Sequence, residues 1–183
     1  MKSKASAAAS TAINNLGNKK ETFTFNSLPE SVEQMRPLPE ASLDTPFKTA
    51  ALTVCALYAF AADQTVGVDL LNFLRGPRPL NGQDISFIKD RFRNGARNYI
   101  IFSYFGGATP DNNYTPAQPY TITVTSDAHS YDEQGYARLY VDCGGADRPR
   151  PVKLRKKGDG QWCLWEQYLL TDIQQPKANH PWA

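Results

Sequence analysis

Two arginines, Arg148 and Arg150, follow a glycine pair in the segment CGGADRPRP. A planar guanidinium presents paired N–H donors that match a carboxylate or phosphate, and two of them on one loop suit a compact anion. A second glycine pair opens the segment FGGATPDNNYTPAQP, where Asn112, Asn113 and Tyr114 supply donors and acceptors and Tyr104 stands just before it. If the two loops meet at one end of the fold, these residues would surround a polar pocket. The GG pair lacks the GKS or GKT ending of a phosphate-binding P-loop, so the other reading is Asx turns and prolines closing a structured loop. Glu166, the only glutamate of the C-terminal half besides Glu133, lies between Trp165 and Tyr168. It would act as an acid if desolvated, or pair with Lys153 or Arg155 across a hairpin.

The charge distribution offers a second kind of chemistry. The 183 residues carry 20 Lys and Arg against 18 Asp and Glu, a net charge of +2. Within residues 136–157 there are seven bases and two acids, net +5, which leaves −3 for the rest. The totals exclude a strongly basic nucleic-acid protein but not a local basic surface. Arg138, Tyr140, Lys153 and Arg155 fall on one alternating face with Tyr136 beside them, where cations would hold phosphates while a ring stacks a base. No aromatic pattern of the RNP type accompanies them, so nucleic acid is the weaker expectation and a solvated basic face the stronger.

Signals of covalent or metal chemistry are thin. His129 and His180 belong to no metal-binding spacing, and no G-x-S-x-G elbow occurs. Cys55, Cys143 and Cys163 form no C-x-x-C pair and are too few for a disulfide framework. No catalytic residue, metal or cofactor is expected, and a reducing cytoplasm fits the cysteine usage.

The elements that would position these residues change character near Gly95. Before it the punctuation is helical: Thr45 as N-cap and Pro46 as first residue introduce FKTAALTVCALYAFAA, apolar on nearly every side and so central. Its apolar run over 50–62 is too short to span a membrane, which needs about twenty residues. A second helix is predicted over 66–75, and a third after Asn81 with Ile85, Ile88 and Phe92 on one face. A short helix after Pro29 ends before Pro37.

Beyond Asn98 lie eight of the nine tyrosines, and the period becomes alternating. Strands are predicted at 99–104, 120–125, 136–143, 151–156 and 162–170, with Gly158, Asp159 and Gly160 turning the last hairpin. Ile122, Val124, Leu139, Val141, Val152, Leu154 and Leu164 form the core side. The expected architecture is α+β: N-terminal helices packed on one face of a C-terminal four- to five-stranded antiparallel sheet. Residues 1–22, rich in Ala and Ser without a Leu-rich centre, are expected to form a mobile extension ahead of a single domain over 23–183, with a docking or targeting tail as the other reading.

The strings PLPEASLDTPFKTAALTV, LLNFLRGPRPLNGQDISFIKDRF, SYFGGATPDNNYTPAQPYTITV and PVKLRKKGDGQWCLWEQYLLTDI resemble a family of uncharacterised bacterial proteins catalogued as a domain of unknown function, over about residues 28–183. The resemblance implies a bacterial, single-domain protein and brings no activity. From the residues, the leading expectation is a non-enzymatic cytoplasmic binding or protein-interaction domain. The alternatives are an enzyme or small-anion site at the loop end, and weak nucleic-acid binding by the basic face.

Overall fold

The computed structural model describes residues 18–183. Strand β1 (Lys20–Phe25) comes first. The helices follow: α1 (Val32–Met35), α2 (Pro46–Ala62), α3 (Gln64–Arg75), α4 (Gly82–Phe92) and the single turn α5 (Tyr99–Phe102). Then come β2 (Tyr120–Thr125), β3 (Tyr136–Val141), β4 (Arg150–Lys156) and β5 (Trp162–Gln167). The five strands make one antiparallel sheet in the order β1-β2-β3-β4-β5. Helices on one side and an alternating sheet on the other give the expected α+β arrangement.

The three longer helices each begin where a side chain can accept a free backbone N–H. Thr45 accepts from Lys48 N, Asp63 from Thr65 N and Val66 N, and Asn81 from Asp84 N, with the Asp84 carboxylate accepting in return from Asn81 N. Helix α2 is buried along most of its length and packs on α3 and on the inner sides of β2 to β5. All seven predicted core residues of the sheet are buried, opposite Thr121, Thr123, Thr125, Arg138, Tyr140, Lys153 and Arg155, none of which is buried. Alternation was therefore a sound guide to the faces.

Two expectations need correction. The segment 99–104 is a helical turn and not a strand: Ile100, Ile101, Ser103, Tyr104 and Phe105 are all buried, so a run closed in on several sides replaces the two-sided alternation a sheet requires. The expected mobile extension also ends too late. Residues 1–17 lie outside the described residues, but Lys20, Glu21 and Thr22 belong to β1, which pairs with β2 over Lys20↔Thr125 to Phe25↔Tyr120. Phe23 and Phe25 enter the core from that strand. The sheet thus reaches five strands by recruiting its fifth from the N-terminal side.

No helix among the described residues is long and apolar enough to cross a membrane.

Candidate functional site

The sheet face turned away from the helices carries an aromatic and cationic cluster. Between β4 and β5 the register shifts: Leu154 faces Leu164 while Lys153 faces Glu166, so Trp165 is an extra residue on β5. That bulge lets Trp165 and Glu166 both join the outer side. The Trp165 ring meets Tyr136 edge-on at 5.6 Å. Arg155 lies 4.8 Å from the Trp165 centroid and 5.5 Å from that of Tyr136, and Lys153 lies 4.5 Å from Tyr136. Arg78, from the Pro-bracketed loop between α3 and α4, sits 3.7 Å over Trp165 and donates Nη2 to the Trp165 carbonyl. Arg138 is 5.8 Å from the Tyr168 ring. Tyr140 lies half-buried on the same face.

Carboxylates enter this cluster sparsely. Lys153 pairs with Glu133 at 2.7 Å, and this hydrogen bond raises the lysine pKa. Glu166 accepts a 2.5 Å bond from the Tyr168 hydroxyl, which pushes that phenol up. Lys153 stands directly opposite Glu166, as the cross-hairpin pairing required, and feels its charge, but no salt bridge closes between them: Glu133 holds the lysine, and Arg155 lies over rings. Glu166 is exposed on the open face, away from the loop end where the pocket reading had included it.

The two glycine loops do meet, as the pocket reading required. Gly144 N donates to Ser103 O at 2.8 Å, and a β-carbon on Gly144 would stand 1.9 Å from the Ala108 carbonyl oxygen. A cleft of about 400 Å³ runs between the loops, with Asp142, Asp147 and Arg148 among its walls. Most of the predicted polar residues, however, are spent on the fold. Asn112 Nδ2 donates to Gly107 O at 2.7 Å while its Oδ1 accepts from Thr109 N and Thr115 N. Asn113 is exposed and serves as a left-handed turn residue, φ 56°. Tyr104 and Tyr114 are buried, and their hydroxyls donate to Leu169 O and Gln174 O, each at 2.5 Å. Arg150 Nη2 donates to Asp172 O at 3.1 Å, whereas Arg148 is exposed. Arg150 does not line this cleft; the two arginines instead share a shallow surface depression with Asp147 and Asp172.

The buried tyrosines of the loop end carry their own prediction. Burial pushes the Tyr114 phenol up to about 12, above the ordinary value of 10, and burial raises Tyr104 as well. A raised folded-state pKa contributes stability that is whole below about pH 10 and lost as the pH climbs through about 12. Thermal melts at rising pH should show that loss, and Tyr114→Phe should remove part of the alkaline slope while lowering the melting temperature at pH 7. A Tyr114→Phe protein with the same alkaline slope as the parent would contradict it.

Sequence reasoning found Arg138, Tyr140, Lys153 and Arg155 on this face, with Tyr136 beside them, but missed Arg78, Trp165 and Tyr168 as parts of one cluster. For Trp165 the signal was the adjacency of two apolar residues, Leu164 and Trp165, which marks a strand covered on both sides. The cover on the outer side is Arg78 and Arg155.

Residues 27–177 match the family model described as Domain of unknown function (DUF6935). No curated protein and no solved structure matches the chain.

Proposed function

Since the chain belongs to the DUF6935 family, a family defined without an activity, we propose its function from the outer sheet face: a non-enzymatic protein-interaction domain of the bacterial cytoplasm that docks an acidic segment of a protein partner. The observation that carries this reading is the placement of cations over rings. Arg78 and Arg155 lie over Trp165, Lys153 and Arg155 over Tyr136, and Arg138 beside Tyr168. A base would have to displace those cations before it could stack, which disfavours single-stranded nucleic acid. Carboxylates meet no such barrier, because a guanidinium lying on an aromatic ring keeps its N–H edges available for bidentate bonds. Cations whose stems already rest on rings also lose less freedom on binding than free-swinging ones. Free cysteines at 55, 143 and 163 suit the reducing compartment.

The test is a pair of NMR titrations at physiological salt, one with a glutamate-rich decapeptide and one with an oligothymidylate of equal charge. The peptide should shift Arg138, Lys153, Arg155 and Tyr168 signals, and replacing Lys153 and Arg155 together with Gln should weaken it about tenfold, in the range of two charge-assisted contacts. Tighter oligothymidylate binding, with a steep salt slope that the double variant flattens, would replace this reading with the nucleic-acid one.

A further inference from the structure

The two edges of the sheet are treated differently. At β5 the outward backbone groups are engaged: Trp162 N donates to Leu43 O at 2.7 Å, Thr49 Oγ1 donates to Trp162 O at 2.7 Å, and the Trp165 carbonyl accepts from both Arg75 and Arg78. At β1 the opposite holds. Ser126 N donates to Lys19 O, and the alternation of an antiparallel ladder then turns residues 21, 23 and 25 toward β2. Lys20, Thr22 and Thr24 present their N–H and C=O groups outward, and among the described residues no hydrogen bond reaches them. An open strand edge of this kind is a template for another strand.

We propose that the strand it takes is β1 of a second copy, paired antiparallel about a two-fold axis at Thr22. The choice of occupant follows from register. With Thr22 opposite its own counterpart, Lys20 stands opposite the partner's Thr24 and Thr24 opposite the partner's Lys20, so all three outward residues of each chain find a partner and six hydrogen bonds form. Centring the axis on Lys20 would set two lysines face to face, which is destabilising. Centring it on Thr24 would leave Lys20 beyond the end of its partner strand, because β1 stops at Phe25. The Thr22 register alone joins complete pairing with an absence of opposed like charges. The side chains repeat this compatibility: Lys20, Thr22 and Thr24 are exposed on the outer face, and Phe23 and Phe25 stay in the core of their own chain.

The product is a continuous ten-stranded sheet with both outer faces on the same side. A two-fold axis normal to a sheet carries each face onto itself, so an acidic partner would meet two docking clusters on one surface. The pairing rests on β1 alone and stands or falls independently of what the outer face binds.

Opposed residues of a hydrogen-bonded antiparallel pair have Cα atoms about 5.5 Å apart, inside the range a disulfide bridges. Thr22→Cys, oxidised gently as purified full-length protein, should therefore give a linked dimer at least ten times faster than Thr24→Cys, whose counterpart in the partner lies four residues along. Mixing Lys20→Cys with Thr24→Cys should give the cross-linked heterodimer. Thr22→Pro removes only an outward N–H, a substitution edge strands tolerate, so it should abolish association in sedimentation while the melting temperature of the dilute protein stays within a few degrees. Equal cross-linking of the Thr22→Cys and Thr24→Cys proteins would overturn the register. A wild-type chain that stays monomeric to about 1 mM with a Thr22 amide already protected from exchange would show that the chain covers its own edge, and would overturn the proposal.

Discussion

Leu57→Ala is expected to remove about 2–5 kcal/mol of unfolding free energy, the range for a buried leucine that leaves a cavity behind. The site is chosen for where α2 lies. Leu57 is fully buried, and its helix touches α3 on one side and four strands on the other, so no flexible neighbour can collapse into the space. In a protein of this length each kcal/mol moves the melting midpoint by about 2–4 °C, and a two-state denaturant curve would read the loss directly. The control is Leu57→Met, which preserves volume and should cost under about 1.5 kcal/mol. An alanine variant as stable as the parent would mean that α2 is peripheral.

Gly67→Ala should destabilise by a comparable amount for the opposite reason. On an exposed helix this change would favour the fold by up to about 1 kcal/mol, since alanine is the better helix former. Gly67 is where α3 presses on α2: an added β-carbon would sit 2.2 Å from both Cα and Cβ of Phe60. The obstruction includes backbone, so no rotamer relieves it and the two helices must separate. Over-packing of this kind costs about 1–3 kcal/mol or more, which exceeds the helix-propensity gain. Gly82→Ala, at the start of α4 with nothing within 4 Å, isolates the propensity effect and should be neutral or slightly stabilising. Thermal melts of the two variants side by side decide the matter, and a Gly67→Ala midpoint equal to that of Gly82→Ala would refute the close helix contact.

What could be read in advance was what local chemistry decides. Thr45 with Pro46 fixes where α2 starts, Asn81 fixes α4, and alternation in β2 to β4 assigns the core side residue by residue. The failures share a non-local cause. The sequence KETFTF shows only two apolar residues in alternation, and its strand identity depends on β2, about a hundred positions downstream. The run YIIFSYF is apolar enough for either class, and burial from several sides settles it as a turn of helix. At the candidate site, alternation delivered Arg138, Lys153 and Arg155 but not the bulge at Trp165, which breaks the period it depends on. The polar residues of the loop end were legible as hydrogen-bonding groups, yet nothing in the spelling distinguished Asn112 holding its own loop from Asn112 holding a ligand.

The pairing of Phe25 with Tyr120 has a consequence on the ribosome. At about 5–20 residues per second, β1 leaves the exit tunnel on the order of 5–20 seconds before the strand that will receive it emerges in turn. Helix pairing between α2 and α3 needs only neighbouring residues and is complete long before. Throughout that interval KETFTF is an unpaired, aromatic-bearing strand on a nascent chain, so the stage of synthesis at which this protein most needs a holding chaperone falls between the emergence of Phe25 and that of Thr125.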